Sequence, residues 1–522
     1  MRPSRPALRV VAITDLNGYL EPCGCQSRPL GGVDKAAARL RELRADGTPT
    51  LFVAAGNLFF AGSSHHEPAL DGAAADAAQQ ARWQADTMAR ALEQLALDVA
   101  LPGPADAAQG AQVVADLARA GGVRLLGTAA SSATAPAGPA AKARAAPPAA
   151  ADDSVLIQKA GLAIGLWGLR DDAPAAPGSP PTDLVARSQQ LTRDLRARGA
   201  VLVIGLLHAD ARAARRVAGA SPELDLLVHA GMESADAPPP ERIGSATLVR
   251  AAHDGHGLLV VDLARSGDGP FTDVSAWSRK AQKETLARTA RDLETRIAAW
   301  KRDPTVDRAL VGEQEARLSR LRSEIGAIDE PVRTTGNTLS ARFIELDPEV
   351  PADPAMRALL DAHDKRVNDH NRVALADVRP KPVPPGTPGY TGSQRCGECH
   401  APALAWWKGH AHGRAYATLE RRNKQFNLSC VGCHVTGYNQ PGGATVVHNE
   451  GLTDVGCESC HGPGSLHAED ADVDAKKNVS LAVAEAVCTQ CHNPEHSDRF
   501  VYDAYRAMLI APGHGRPAEA AQ

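Results

Sequence analysis

A five-residue word, Cys-x-x-Cys-His, occurs four times between Cys396 and His492, and it constrains this chain more than any other feature. The copies are Cys396-Gly-Glu-Cys399-His400, Cys430-Val-Gly-Cys433-His434, Cys457-Glu-Ser-Cys460-His461 and Cys488-Thr-Gln-Cys491-His492. This word is the attachment signature of c-type haem. The two thiols of each copy can form thioether bonds to the haem vinyl groups, and the adjacent His is placed to ligate the iron from one face. A zinc site needs four ligands in total and has no use for a His after every Cys pair. A redox dithiol normally occurs once, beside a βαβ unit. Four words therefore predict four haem c groups, with His400, His434, His461 and His492 as proximal iron ligands.

Each iron has a second axial position, for which a neutral imidazole is the usual protein ligand. Five His of the same region stand outside the words: His410, His412, His448, His467 and His496. All five are candidate distal ligands. Residues 390–505 are too few to enclose four haems and also build an ordinary core. The macrocycles themselves are expected to be the core, and the haem-free region to be largely unstructured. Trp406 and Trp407 are suited to packing on a porphyrin face or edge.

The chain has 522 residues, too many for one core, so several domains are expected. A net charge of -4 is near neutrality and points to no nucleic-acid partner. Eight of the ten cysteines belong to the words, leaving Cys23 and Cys25. Haem attachment of this kind takes place outside the cytoplasm, so a periplasmic or otherwise extracytoplasmic location is expected. No signal sequence is visible: Met1-Arg-Pro-Ser-Arg-Pro runs directly into the strand-like Leu8–Thr14, without an apolar h-region or cleavage site. No stretch approaches the roughly 18 apolar residues of a membrane span.

From residue 8 to about 265, short apolar runs alternate with amphipathic stretches, the pattern of an α/β layered domain. Strands are expected at Leu8–Thr14, Thr50–Ala54, Leu97–Leu101, Val123–Gly127, Leu162–Gly168, Val201–Leu207, Asp225–Val228, Ala246–Arg250 and Leu258–Leu263. Helices are expected at Val33–Ala45, Gln79–Leu95, Ala105–Ala118, Pro181–Arg198 and Ala209–Ala218. Two apolar stripes, Leu286, Leu293, Ile297, Trp300 and then Leu318, Leu321, Ile325, Ile328, flank Asp303-Pro304 and predict a helical hairpin. The expected division is 1–270 for the α/β domain, 275–330 for the hairpin, 331–378 for a mixed connecting segment, 379–389 for a stiff Pro-rich linker, 390–505 for the haem domain and 506–522 for a tail.

Beyond the words, Trp406-Trp407-Lys-Gly-His-Ala-His412-Gly-Arg-Ala415, Cys430-Val-Gly-Cys-His-Val-Thr-Gly437 and Val455-Gly-Cys-Glu-Ser-Cys-His-Gly-Pro-Gly464 resemble the tetrahaem cytochrome c-554 type (cytochrome c-552/4) domain. The resemblance covers about a fifth of the chain and implies electron transfer. It marks His412 and His467 as distal ligands, with His448, His496 and His410 as further candidates. It also implies that one haem can lack a distal side chain, leaving a site open to a small molecule.

The strand Val10-Val-Ala-Ile-Thr-Asp15-Leu-Asn17-Gly18 resembles the opening of the calcineurin-like metallophosphatases of the 5'-nucleotidase branch. Ala54-Ala-Gly-Asn57, Leu97-Asp-Val-Ala-Leu-Pro-Gly103-Pro-Ala-Asp106, Leu206-Leu-His208 and Leu224-Asp-Leu-Leu-Val-His-Ala-Gly231-Met-Glu233 continue the likeness. That family binds two metals through residues of which only Asp15 and His208 survive. Asn17 and Asn57 replace a His and the bridging Asp; Pro104, Ala105, Gly231 and Glu233 replace the remaining ligands. A two-metal hydrolase needs a bridging carboxylate and a full ligand set, so a phosphatase-like scaffold without its metals is expected. Glu21-Pro-Cys23-Gly-Cys25 resembles the "Pro-Cys-Gly-Cys" insert of a phosphatase-like group. Its cysteines are candidate catalytic residues, as a reducible disulfide or a soft-metal clip; a structural bridge is the alternative.

The fold class expected is thus multidomain: an N-terminal α/β metallophosphatase-like layered sandwich, a helical hairpin and a C-terminal, mainly α or irregular multihaem cytochrome c domain. The leading functional expectation is an exported multihaem electron carrier working with redox partner proteins. The alternatives are a multihaem oxidoreductase acting on a small nitrogen or sulfur compound, and a 5'-nucleotidase-like metallohydrolase fused to a cytochrome.

Overall fold

The computed structural model describes residues 6–22, 28–61, 74–127, 153–171, 183–231, 237–267, 269–302, 307–328, 336–469, 479–493, 496–497 and 499–510. The chain divides into two compact units. The first comprises 1–19, 30–62 and 88–351, and the second comprises 20–29, 63–87 and 352–522.

The first unit is built on two mixed sheets. Its strands are β1 (Leu8–Thr14), β2 (Thr50–Gly56), β3 (Val99–Pro102), β4 (Arg124–Leu125), β5 (Ser154–Lys159), β6 (Leu162–Arg170), β7 (Leu202–His208), β8 (Leu226–Ala230), β9 (Glu241–Ile243), β10 (Ala246–Val249), β11 (Gly257–Ala264), β12 (Thr272–Asp273) and β13 (Thr338–Glu345). One sheet has the order β12-β13-β11-β1-β2-β3-β4, the other β5-β6-β7-β8-β10-β9. Parallel pairing of β1, β2 and β3, and of β6, β7 and β8, makes each sheet's centre. Such strands are covered on both faces and read as continuous apolar runs, as Leu8-Arg-Val-Val-Ala-Ile-Thr14 and Leu202-Val-Ile-Gly-Leu-Leu-His208 nearly do.

Alternate side chains sort these runs into layers. Leu8, Val10, Leu51, Val53, Leu202, Ile204, Leu206, Leu226 and Val228 share one core cluster, which lies between the sheets. Opposite-parity residues of the second sheet, Trp167, Val203, Leu207 and Leu227, pack instead on Leu191, Leu195, Ala214 and Val217. Those four belong to the helices Leu184–Ala197 and Ala211–Ala220. On the first sheet's other face, Ile13 and Phe52 meet Val33, Ala36, Leu92 and Leu95 around a small apolar void. The result is an α/β sandwich of two packed sheets with helices outside, as expected.

All nine expected strands are present, with ends shifted by up to two residues; β5, β9, β12 and β13 were not foreseen. β13 pairs antiparallel with β11 from Thr338 opposite Ala264 to Glu345 opposite Gly257. It lies in the segment read from sequence as connecting, where Leu339, Ala341 and Phe343 alternate with polar residues over too short a stretch to stand out. The expected helix Ala105–Ala118 is two helices, Pro104–Ala108 and Ala111–Ala120, separated at Gly110, whose φ of 94° no helix accommodates.

The helices Ala276–Arg302 and Arg308–Ile328 bury Leu293, Ile297, Val311 and Leu318 against one another. Ion pairs Lys301–Glu315 and Arg322–Glu294 fix an antiparallel register. Among the described residues, no helix is long and apolar enough to cross a membrane.

The second unit contains the helix Pro354–Ala374 and a series of short helices from Ser393 to Met508. The Pro-rich stretch 379–389 is mostly exposed. It is nevertheless pinned, by Gly442 N–H to the Lys381 carbonyl (2.8 Å) and by Gly389 N–H to Ser465 Oγ (2.8 Å).

Candidate haem-binding centres

Each Cys-x-x-Cys-His word sits on or beside one turn of helix: Ser393–Cys396, Leu428–Val431, Cys457–His461 and Glu485–Cys488. In the first and fourth words the backbone closes an i to i−4 bond, His400 N–H to Cys396 O (2.9 Å) and His492 N–H to Cys488 O (2.8 Å). A helical turn brings residues three and four apart onto one side. Both thiols and the imidazole of a word are thereby presented together. None of the eight thiols of the words is in a disulfide.

Three of the words' four imidazoles are oriented by hydrogen bonds at Nδ1. His434 Nδ1 lies 2.7 Å from the Ala415 carbonyl and His461 Nδ1 lies 2.6 Å from that of Ser480. A carbonyl only accepts, so the proton resides on Nδ1 and the lone pair on Nε2, the tautomer a metal requires. His492 Nδ1 lies 3.0 Å from Ser497 Oγ.

Two of the words' imidazoles lie close to a second imidazole. His400 and His467 have centroids 6.4 Å apart and planes 17° from parallel. His412 and His492 are 5.9 Å apart at 65°. Two imidazoles on opposite faces of one metal have centroids about 6 Å apart, since each metal–nitrogen bond is about 2 Å and the ring centre lies about 1 Å beyond. His412 is further marked by its Nδ1, which is buried without a hydrogen-bond partner. Burial pushes its pKa down to about 4, keeping the ring neutral. An orphaned buried nitrogen is costly unless something binds there, so the residues present fit haem.

The remaining His are placed differently. His410 stacks on Trp406 and Trp407, each at 5.2 Å, and its Nδ1 accepts the His412 N–H at 3.3 Å. His448 engages both nitrogens with protein: Nε2 donates to the Ala376 carbonyl at 2.6 Å, and Nδ1 lies 3.3 Å from Arg379 Nη1. His496 sits in a turn, its N–H donating to Asn493 Oδ1 at 2.9 Å. Trp407 donates from Nε1 to the Val455 carbonyl at 2.9 Å, fixing one wall beside His412.

Glu458, inside the third word, clamps that word to the first. Its buried carboxylate accepts N–H groups from Thr391 (2.9 Å), Gly392 (2.7 Å) and Gly464 (2.7 Å). Ser393 Oγ also accepts the Cys457 N–H at 3.1 Å. Cys396 Sγ donates to the Gly392 carbonyl at 3.7 Å, and the nearness of the Cys396 and Cys457 thiols pushes the first up and the second down to about 6. Hydrogen bonds to a charged group contribute about 1.5–3 kcal/mol each, and orphaned partners add to the loss. Glu458→Ala is therefore expected to destabilise the second unit by about 3 kcal/mol or more in denaturant unfolding, and Glu458→Gln by less.

The second word is held by residues that sequence reasoning missed. Asn368 Oδ1 accepts the Phe426 N–H (3.0 Å), and Asn371 Nδ2 donates to the Phe426 carbonyl (2.9 Å). Gln80 reaches Leu428 N–H, Asn427 Oδ1 and Ser429 Oγ. The available signal was on the helix Pro354–Ala374, where Asp364, Asn368 and Asn371 share the buried residues with Met356, Leu360 and Val367. Polar residues at helical spacing among apolar ones mark a face that binds something polar.

In the first unit, the positions that resemble metal ligands form a hydrogen-bonded relay. Asn57 Nδ2 donates to Asn17 Oδ1 (3.1 Å), Asn17 Nδ2 donates to Asp254 Oδ1 (2.7 Å), and Asn57 Oδ1 accepts the Ala105 N–H (2.9 Å). Asp15 Oδ2 accepts the Gly231 N–H at 2.9 Å. Asp15, Asn17 and Asp254 all have φ near +50°, a conformation that Asn and Asp tolerate best among residues with side chains. Gly56 is required here, because a Cβ would lie 1.9 Å from Asp15 Oδ1. Asp106 holds the adjoining loop through the N–H groups of Leu58, Phe59 and Phe60, and burial pushes its pKa up to about 6. Amide groups bonded to each other do not replace a bridging carboxylate. Among the described residues, no group of three or more His, Cys, Asp or Glu could hold a metal ion. Cys23, Cys25 and Glu233 lie outside the described residues.

Residues 395–462 match the family described as cytochrome c554 and c-prime. Cytochrome c-554 of Nitrosomonas europaea is 37% identical over 91 residues, covering 14% of this chain and 39% of that protein, so the chain spans well under half of that relative. Among solved structures, the 5'-nucleotidase precursor of Thermus thermophilus is 14% identical, with 74% of this chain and 61% of that one covered at a TM-score of 0.44. The sulfate thiohydrolase SoxB of the same organism is 13% identical, with 71% and 62% covered at 0.45. The calcineurin-like phosphoesterase YfkN of Bacillus subtilis is 12% identical, with 70% and 98% covered at 0.43. The C-terminal region is thus similar to cytochrome c-554. The structural likenesses are loose, and the two-sheet fold stands on the strand registers described above.

Proposed function

We propose that this chain is an exported multihaem cytochrome that passes electrons between redox partner proteins through four covalently bound haems, on a phosphatase-like scaffold that does not hydrolyse esters. The observation that carries the reading is the pairing of His400 with His467 and of His412 with His492 at the separation of two imidazoles on one iron. Bound haem would supply one-electron chemistry, with potentials set by axial ligand, burial and nearby charge. The chain's own residues do the rest. Eight cysteines fix the groups, Nδ1 hydrogen bonds orient the rings of His434, His461 and His492, and Glu458 and Ser393 hold the first and third words together.

The Asn17–Asn57–Asp254 relay supports the non-hydrolytic part of the reading, since it occupies the site with donors and a single surviving pair, Asp15 and His208. The test is production in a host with haem-attachment machinery, followed by a pyridine haemochrome count and ester-hydrolysis assays with added divalent metals. Four haems per chain and no metal-dependent turnover are expected. Two bound metals with ester turnover would overturn the non-hydrolytic assignment; a chain without haem would overturn the cytochrome.

A further inference from the structure

The second unit buries a cluster of charges that neither haem attachment nor axial ligation uses. Glu21 is ion-paired with both Lys424 Nζ and Arg357 Nη1. Asp364 Oδ2 lies 3.3 Å from Lys424 Nζ and 3.9 Å from Arg357 Nη2. The side chains of Glu21, Asp364 and Lys424 are 11%, 7% and 18% exposed. Two acids face two bases, so the cluster is neutral when all four are ionised. Lys424 precedes the first thiol of the second haem word by six residues, and its ammonium interacts electrostatically with Cys430. The intervening chain is pinned through Phe426 and Leu428.

We propose that Asp364 is a proton-binding site for the second haem: its carboxylate takes up a proton when the haem attached at Cys430 and Cys433 takes up an electron. The inference rests on the haem reading above. In balance, a reduced one-electron carrier protein gives the electron, the iron passes from ferric to ferrous, and water gives the proton that forms the carboxyl O–H bond. The protonated cluster then carries one net positive charge, which offsets the added electron.

Asp364 is singled out by its surroundings. Burial alone would raise Glu21, but Lys424 and Arg357 outweigh it and hold that carboxyl at about 2, so it stays ionised. Asp364 shares the same cations at longer range; burial prevails and pushes it up to about 6. Burial pushes the neighbouring His363 down to about 4, with Lys424 and Arg366 acting the same way, and its Nδ1 lies 3.0 Å from Thr87 Oγ1. Lys424 is raised by Glu21 and Asp364 against its burial and remains charged. Asp361 pairs with Arg357 from an exposed position, 66% accessible. Of the cluster's two buried acids, Asp364 is the one whose burial outweighs its cations. Negative charge added nearby favours its neutral form.

The sign follows. With its carboxyl pushed up to about 6, Asp364 is expected to be protonated in both oxidation states on the acid side, where the potential is expected to be level. Above that value, up to the higher pKa of the reduced state, the potential falls by about 59 mV for each tenfold loss of protons. The test is spectroelectrochemical titration of the full-length holoprotein from about pH 5 to about pH 8.5. The second haem's midpoint is assigned by its absence from C430A/C433A. The wild type is expected to slope; D364N is expected to be level, near the wild type's acid limit. Redox-difference infrared spectra are expected to show a carboxylic-acid band gained on reduction. This measurement on the wild type decides the matter even where D364N fails to fold. A level wild-type midpoint, a slope kept by D364N, or no such band would overturn the proposal while leaving the haem count intact. A haemochrome count lacking the second haem would overturn both.

Discussion

Replacing both thiols of the fourth word, in C488A/C491A, is expected to remove one haem per chain and to open the Tyr502–Met508 helix to protease. The packing explains why. The apolar cluster of the haem region gathers Leu375, Tyr416, Leu428, Val431, Val435, Ala444 and Val446, all at or near the second word. Around the fourth word, Leu481, Val501 and Met508 are 69%, 60% and 60% exposed in the polypeptide alone. Fully burying such a side chain stabilises by about 1.5–3 kcal/mol, and a macrocycle is the apolar surface this segment lacks. C430A/C433A is expected to lose its haem and keep its local fold, because the second word stands on its own cluster. Haemochrome counts with limited proteolysis of the two variants measure the difference. Equal protection of both segments would show that the haem does not act as core at the fourth word.

His467→Ala and His412→Ala are expected to have the largest spectroscopic effect. Each removes one ring of an axial pair and exposes an iron that carbon monoxide can then bind in the reduced protein. Axial ligands set haem potentials across about 0.8 V; losing one imidazole is expected to shift the affected haem by the order of 0.1 V. The readout is a new carbon monoxide-induced absorbance change equivalent to one haem, with the other haems unaltered. His448→Ala is the contrast: both its nitrogens are bonded to protein, and no haem spectrum is expected to change. A carbon monoxide response in His448→Ala, or none in His467→Ala, would require the axial assignments to be redrawn.

Much of the fold was legible because its signals are local. A buried strand reads as a short apolar run, and strands appear at all nine places where they were expected. The hairpin stripes with Leu293, Ile297 and Leu318 were legible for the same reason, since helical period survives in sequence. What failed was pairing at a distance: β13 becomes a strand only because β11 offers eight residues of register. Gly110 was passed over because one glycine in a helical pattern is usually tolerated.

The candidate site divides along the same line. By itself the sequence determined the covalent chemistry, since two thiols and an imidazole within five residues lie on one turn of backbone wherever that turn is placed. Only the tertiary structure decided which imidazoles lie opposite one another, that His448 serves the backbone, and that Glu21, Asn368 and Asp364 gather near a haem word remote from them in the chain. Bonded geometry is written residue by residue. Axial pairing and buried charge arise between segments as much as 403 residues apart, as for Glu21 and Lys424, and exist only after the chain has closed those loops and removed water from the groups it brings together.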